Sequence, residues 1–108
     1  MNRVQKLQVL REGFSENTIK HIRLKDDWVL LRAIHESDLS DISLPVDVRY
    51  DHCLFHEVVK CGPNADVEIG VWCVVIRNAL DALTADRKIV LARKEHIVLD
   101  LDTEEMGM

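Results

Sequence analysis

Apolar residues along this chain fall in short runs, and the runs change character near residue 18. In residues 2–14, Val4, Leu7, Leu10 and Phe14 lie three or four apart. That is the helical period, and the stretch reads either as a short helix ending near Gly13 or as a frayed arm. From Thr18 the texture is that of strands. Ile22 and Leu24 alternate with polar residues, and Trp28-Val29-Leu30-Leu31 is a continuous apolar run. Leu54–Lys60, Trp72–Ile76, Lys88–Leu91 and His96–Leu101 repeat the pattern, and Cys61-Gly62-Pro63-Asn64 is a turn. Val67-Glu68-Ile69 alternates until Gly70 breaks it. Residues 77–87 are ambiguous, because Ala79, Leu80, Ala82 and Leu83 also suit one helical turn. Short strands with turn signals between them predict an all-β barrel or sandwich.

One segment breaks this rhythm. Residues 35–52, HESDLSDISLPVDVRYDH, are polar and acidic around a single apolar island, Ile42-Ser43-Leu44-Pro45. The island is too short for a core strand and has no periodic support on either side. A long loop of this kind within a compact domain is often functional.

Composition narrows the classes. The chain has 108 residues, 47% hydrophobic and 31% charged, which is one small domain with a thin core that oligomerisation would help. A formal net charge of −5 argues against a nucleic-acid binder held by phosphate neutralisation. No apolar run approaches a membrane span, and the N-terminus lacks a signal-peptide core. The odd set Cys53, Cys61 and Cys73 lacks metal-type pair spacing, so a reducing cytoplasm fits best.

Chemistry is sparse. His52, Cys53, His56 and Cys61 invite a zinc reading, but on a strand His52 and His56 would sit ~13 Å apart. Zinc needs its ligands at about 2.0–2.3 Å, so only a sharp bend would make a site. No Gly-flanked nucleophile and no Gly-rich phosphate loop is present. Asp26-Asp27 and Glu104-Glu105 read as solvated surface acids. The chain is therefore expected to be a binding or assembly protein with no catalytic residues and no metal.

The order of segments is more specific than any one of them. Ile22-Arg23 precedes Asp27 and the Val29-Leu30-Leu31-Arg32 strand. A polar loop with its apolar island follows. Glu57-Val58-Val59 leads to Gly62, and Val67-Glu68-Ile69-Gly70 leads into a buried strand. Lys94-Glu95-His96-Ile97-Val98 begins the close. From about Ile22 to Asp102 this series resembles the GroES-type co-chaperonin family.

The resemblance implies a small irregular GroES-like β-barrel over residues 22–102, with a mobile loop at about 35–53. Residues 1–21 would be an N-terminal extension, a short helix or an arm, and 103–108 a disordered tail. Ile42, Ser43 and Leu44 stand where the family carries the tripeptide that docks on a GroEL-type chaperonin, and Pro45 follows them in the chaperonin-binding loop. Ile22, Leu24, Trp28, Val29 and Leu30 in the first strand would form the subunit interface with Ile97, Val98, Leu99 and Leu101 in the last.

The partners so implied are the chaperonin, further copies in a ring of seven, and unfolded clients. Neither nucleic acid nor membrane is among them. ATP would be used by the chaperonin, with no cofactor bound by this chain. The chain departs from the pattern at several points. Ser40-Asp41 replaces the usual glycines, Ser43 stands at the tripeptide's centre, and Val71 replaces an acid. Only Pro63-Asn64-Ala65-Asp66 and a few neighbours remain where the family often has a roof hairpin. This shortening is similar to co-chaperonins encoded by bacteriophages, which would place the protein in a host cytoplasm. The rival expectation is a small β-barrel structural subunit of a phage particle or another assembly.

Overall fold

The computed structural model describes residues 2–12, 16–35, 53–84 and 87–101. Two helices come first, α1 (Arg3–Glu12) and α2 (Glu16–His21). Six strands follow: β1 (Trp28–Ala33), β2 (His56–Cys61), β3 (Trp72–Val75), β4 (Asp81–Ala82), β5 (Ile89–Arg93) and β6 (Ile97–Leu101). Every pairing is antiparallel, in the order β4-β5-β1-β2-β3-β6, and the sheet is not closed. The domain is mostly β, as its strand pattern predicts.

Chain connectivity forces this sheet to curl. Between β5 and β6 lies one 3-10 turn of three residues, Lys94–His96. In a flat sheet those strands would stand four spacings apart, roughly 19 Å. The four Cα steps from Arg93 to Ile97 span at most about 14 Å. Two bulges sharpen the bend. Leu30 and Leu31 face Lys60 and Val58, leaving Val59 as the extra residue. Val74 and Val75 face Leu99 and Ile97, leaving Val98 over.

The curl gives the sheet two unequal faces. Val29, Leu31, Val58, Cys73, Val75, Val90 and Ala92 pack together on the inner face, joined by Ala65. Leu30 and Ile89 point outward, where Ile19 of α2 buries them with Ile22 and Leu24 beside it. β1 is buried on both faces, which explains its unbroken apolar run.

The residues from Thr18 were expected to begin the strands. They instead form α2 and an unpaired stretch, with the first strand starting at Trp28. Ile19 and Ile22 lie three apart, so docking on the sheet favours the helical period over an extended one. The described residues 77–83 do not form the one helical turn that Ala79, Leu80, Ala82 and Leu83 also suit. A 3-10 turn at Arg77–Ala79 leads into the short β4. There Thr84 Oγ1 accepts from the main-chain N–H groups of Lys88 and Ile89, at 3.1 and 3.2 Å. Val67–Ile69 alternates in sequence without forming a strand. No described helix is long and apolar enough to cross a membrane.

Candidate functional site

β1 and β2 form the base from which the loop segment departs. Ala33 sits opposite His56, and the Ile34 N–H donates to the Phe55 carbonyl at 3.1 Å. The Ala33 N–H donates to the Lys88 carbonyl at 2.7 Å. The chain thus leaves at His35 and returns at Cys53 from two strands hydrogen-bonded to each other. Ile42, Ser43, Leu44 and Pro45 lie outside the described residues.

His56 stands at this base on the inner face, 3% exposed, opposite Cys73 of β3. Its Nδ1 has no hydrogen-bond partner among the described residues. Burial pushes its pKa down to about 4, so the imidazole is neutral at neutral pH. Burial, with a smaller contribution from Asp100, raises the Cys73 thiol to about 11. Such a thiol stays protonated and unreactive at neutral pH. Among the described residues no three His, Cys, Asp or Glu side chains gather as a metal site would require. His52, a member of the cluster read for zinc, lies outside them.

The opposite end of the inner face is closed by the β2–β3 connection. Gly62 donates to the Trp28 carbonyl at 2.8 Å and Asn64 to the Asp26 carbonyl at 2.9 Å. A side chain at Gly62 would collide with the Asp26 and Lys25 carbonyls, so only glycine allows this crossing. Ala65 is fully buried in the core and Val67 packs against it. The connection folds back onto the sheet and has no strand of its own.

The interface candidates separate into distinct environments. Val29 and Leu30 have no exposed surface and belong to the chain's own core, and β1 has both edges filled by β2 and β5. A neighbouring chain therefore cannot pair with β1. Trp28 is half-buried beneath the Arg93 guanidinium, 5.0 Å from the ring centroid. Arg93 also pairs with Asp27 at 2.8 Å, so this acid is tied down and not simply solvated. The pair is half exposed and is worth at most about 1 kcal/mol.

Ile22 and Leu24 are half-buried against the outer cluster, and no strand among the described residues pairs with their backbone. β6 is an edge strand. Its Ile97 packs on the core, Leu101 lies opposite Trp72, and Val98 and Leu99 are 56% and 47% exposed. The remaining outer edge is the two-residue β4.

Sequence reasoning missed Lys60, whose Nζ donates to the Lys20 and Ile22 carbonyls at 2.8 and 2.9 Å. The ammonium meets the unsatisfied carbonyls at the end of α2 and holds that helix to β2. No nearby motif signals such a bond, because it spans some forty positions of chain. Compared with family models, with curated proteins and with solved structures, the chain matches none.

Proposed function

We propose that this protein is a co-chaperonin that caps a GroEL-type chaperonin ring and assists ATP-dependent folding of client proteins. The observation that carries the proposal is the place of the long segment with the Ile42–Pro45 island. It springs from the hydrogen-bonded ends of β1 and β2, held at Ala33, Ile34 and Phe55. Such a base supports a docking element without loading the core. Ile42 and Leu44 would each contribute about 1.5–3 kcal/mol on full burial in the chaperonin. Pro45 restricts the unbound loop and trims the cost of ordering it. A ring multiplies contacts of this size through effective concentration, and capping remains reversible.

The curled antiparallel sheet, with no described strand beyond β6, supports the reading of a ring-forming barrel subunit. An exposed apolar edge such as β6 invites a further strand unless something covers it. The Ile22–Leu24 segment of a neighbour, which lies in no described strand, is the one the resemblance offers. Pairing of that kind, repeated around a closed ring of seven, would cover every β6 edge. The short Gly62–Gly70 connection would leave the apex of such a cap open, over a chamber with room for a bulky client.

The same exposed edge suits a structural subunit of a phage particle or other assembly. Co-sedimentation of the full chain with a GroEL-type chaperonin, with and without adenine nucleotide, separates the two. Nucleotide-dependent capture supports the co-chaperonin, and its absence under both conditions favours the structural subunit.

A further inference from the structure

Residues 22–25 join α2 to the turn before β1, and they carry the marks of an edge strand without belonging to the sheet. Exposure alternates along them. Ile22 and Leu24 are half-buried against the outer cluster, while Arg23 and Lys25 are exposed. At either end the main chain is engaged. The Ile22 N–H donates to the Ile19 carbonyl at 3.2 Å, and the Lys25 carbonyl accepts from the Trp28 N–H at 3.2 Å. Between them, no hydrogen bond among the described residues reaches the main chain of Arg23 or Leu24. Unpaired main-chain groups in an extended run are a template for a further strand.

Lys60 sets this geometry. It stands in β2 opposite Leu30, on the outer face. Its Nζ donates to the Lys20 and Ile22 carbonyls at 2.8 and 2.9 Å. One of these belongs to the last turn of α2 and the other to the first residue beyond the helix. The ammonium thus marks where the helix ends and where the extended run begins. The apolar contacts of Ile22 and Leu24 are non-directional and do not by themselves fix how the main chain is turned.

Building on the ring-forming reading, we propose that Lys60 is a positioning residue for assembly: it holds Arg23–Lys25 extended as the acceptor for the β6 edge of a second copy. β6 is a five-residue edge with exposed Val98 and Leu99, whereas the opposite edge, β4, has two residues. The longer edge is the one able to pair with a short extended run. The two surfaces are unlike, so each copy keeps one of each, and the contact repeats around a closed ring. Holding the run in place beforehand removes an ordering cost that association would otherwise bear.

Sedimentation of the full chain at micromolar concentration, with amide exchange on the same samples, tests it. The wild-type protein should run well above its 12.4 kDa subunit mass, and the amides of Arg23, Leu24 and Lys25 should gain protection as it assembles. Lys60→Met should still fold, and should weaken association roughly tenfold or more, because the run must then be ordered on contact. Lys60→Arg keeps a cation with donors and should restore most of the assembly. Gly70→Ala is the control for general destabilisation, since it acts through a φ of +90° at a position in neither edge, and it should associate like the wild type. A Lys60→Met variant that assembles as tightly as Gly70→Ala would overturn the proposal and leave the ring standing. So would an assembled wild type whose Arg23–Lys25 amides stay unprotected. A wild type that is monomeric at every concentration would overturn the ring-forming reading and this positioning role together.

Discussion

The side-chain ammonium of Lys60 donates to the main-chain carbonyl of Ile22 at 2.9 Å, tying β2 to the segment that leaves α2. The same nitrogen holds the Lys20 carbonyl. Lys60→Met keeps most of the apolar stem and removes both bonds. Part of this contact is exposed, so the cost should be about 1–2 kcal/mol, at or below the low end of the range for hydrogen bonds to a charged group. Amide exchange should accelerate across residues 18–24 and change little in β3. Unchanged exchange at α2 would show that apolar contact alone holds the helix.

Gly62→Ala should be among the most damaging single changes. The added methyl would meet backbone oxygens of Lys25 and Asp26, which cannot swing aside as a side chain would. Relief requires the turn at Asp26 to move, at a cost of about 1–3 kcal/mol. Gly70→Ala has open space around it but a backbone φ of +90°. It should cost about 1 kcal/mol through conformation alone. Urea melts of both variants compare the effects, and equal tolerance would contradict the close crossing at Gly62.

His56 makes stability depend on pH. Its folded pKa, about 4, lies below the unfolded value near 6.5, so the unfolded chain binds the proton more readily. The favourable contribution of the neutral ring is complete above pH 6.5 and is lost as pH falls toward 4. The full shift corresponds to about 3 kcal/mol. His56→Leu should flatten the pH dependence of unfolding between pH 6.5 and 4. An unaltered slope would mean that the imidazole reaches water.

Much of the strand pattern is legible in the sequence because β1, β2, β3 and β5 carry their burial in contiguous or alternating apolar residues. α2 was hidden for the opposite reason. Six residues with Ile19 as the buried anchor give too little periodicity, and the sheet beneath supplies the stabilisation. β4 is two exposed residues defined by pairing with β5. At the candidate site, exposed Val98 and Leu99 follow from an edge position that only the strand order reveals. Val29 and Leu30 read equally well as interface or core until β1 is placed between β2 and β5. The Ile42–Pro45 island remains a sequence inference, since those residues lie outside the described structure.

The central claim is tested most directly by measuring chaperonin binding of the wild-type chain beside Ile42→Ala and Leu44→Ala, with melting curves for all three. Truncating either residue removes apolar surface worth about 1.5–3 kcal/mol per contact, which a ring multiplies. The account predicts nucleotide-dependent capture of a GroEL-type chaperonin by the wild type. It predicts at least tenfold weaker capture by each variant, with melting temperature and oligomer mass unchanged. A large fall in melting temperature would place the island in the protein's own core. Equal capture by all three proteins, or none by the wild type, would contradict the capping function.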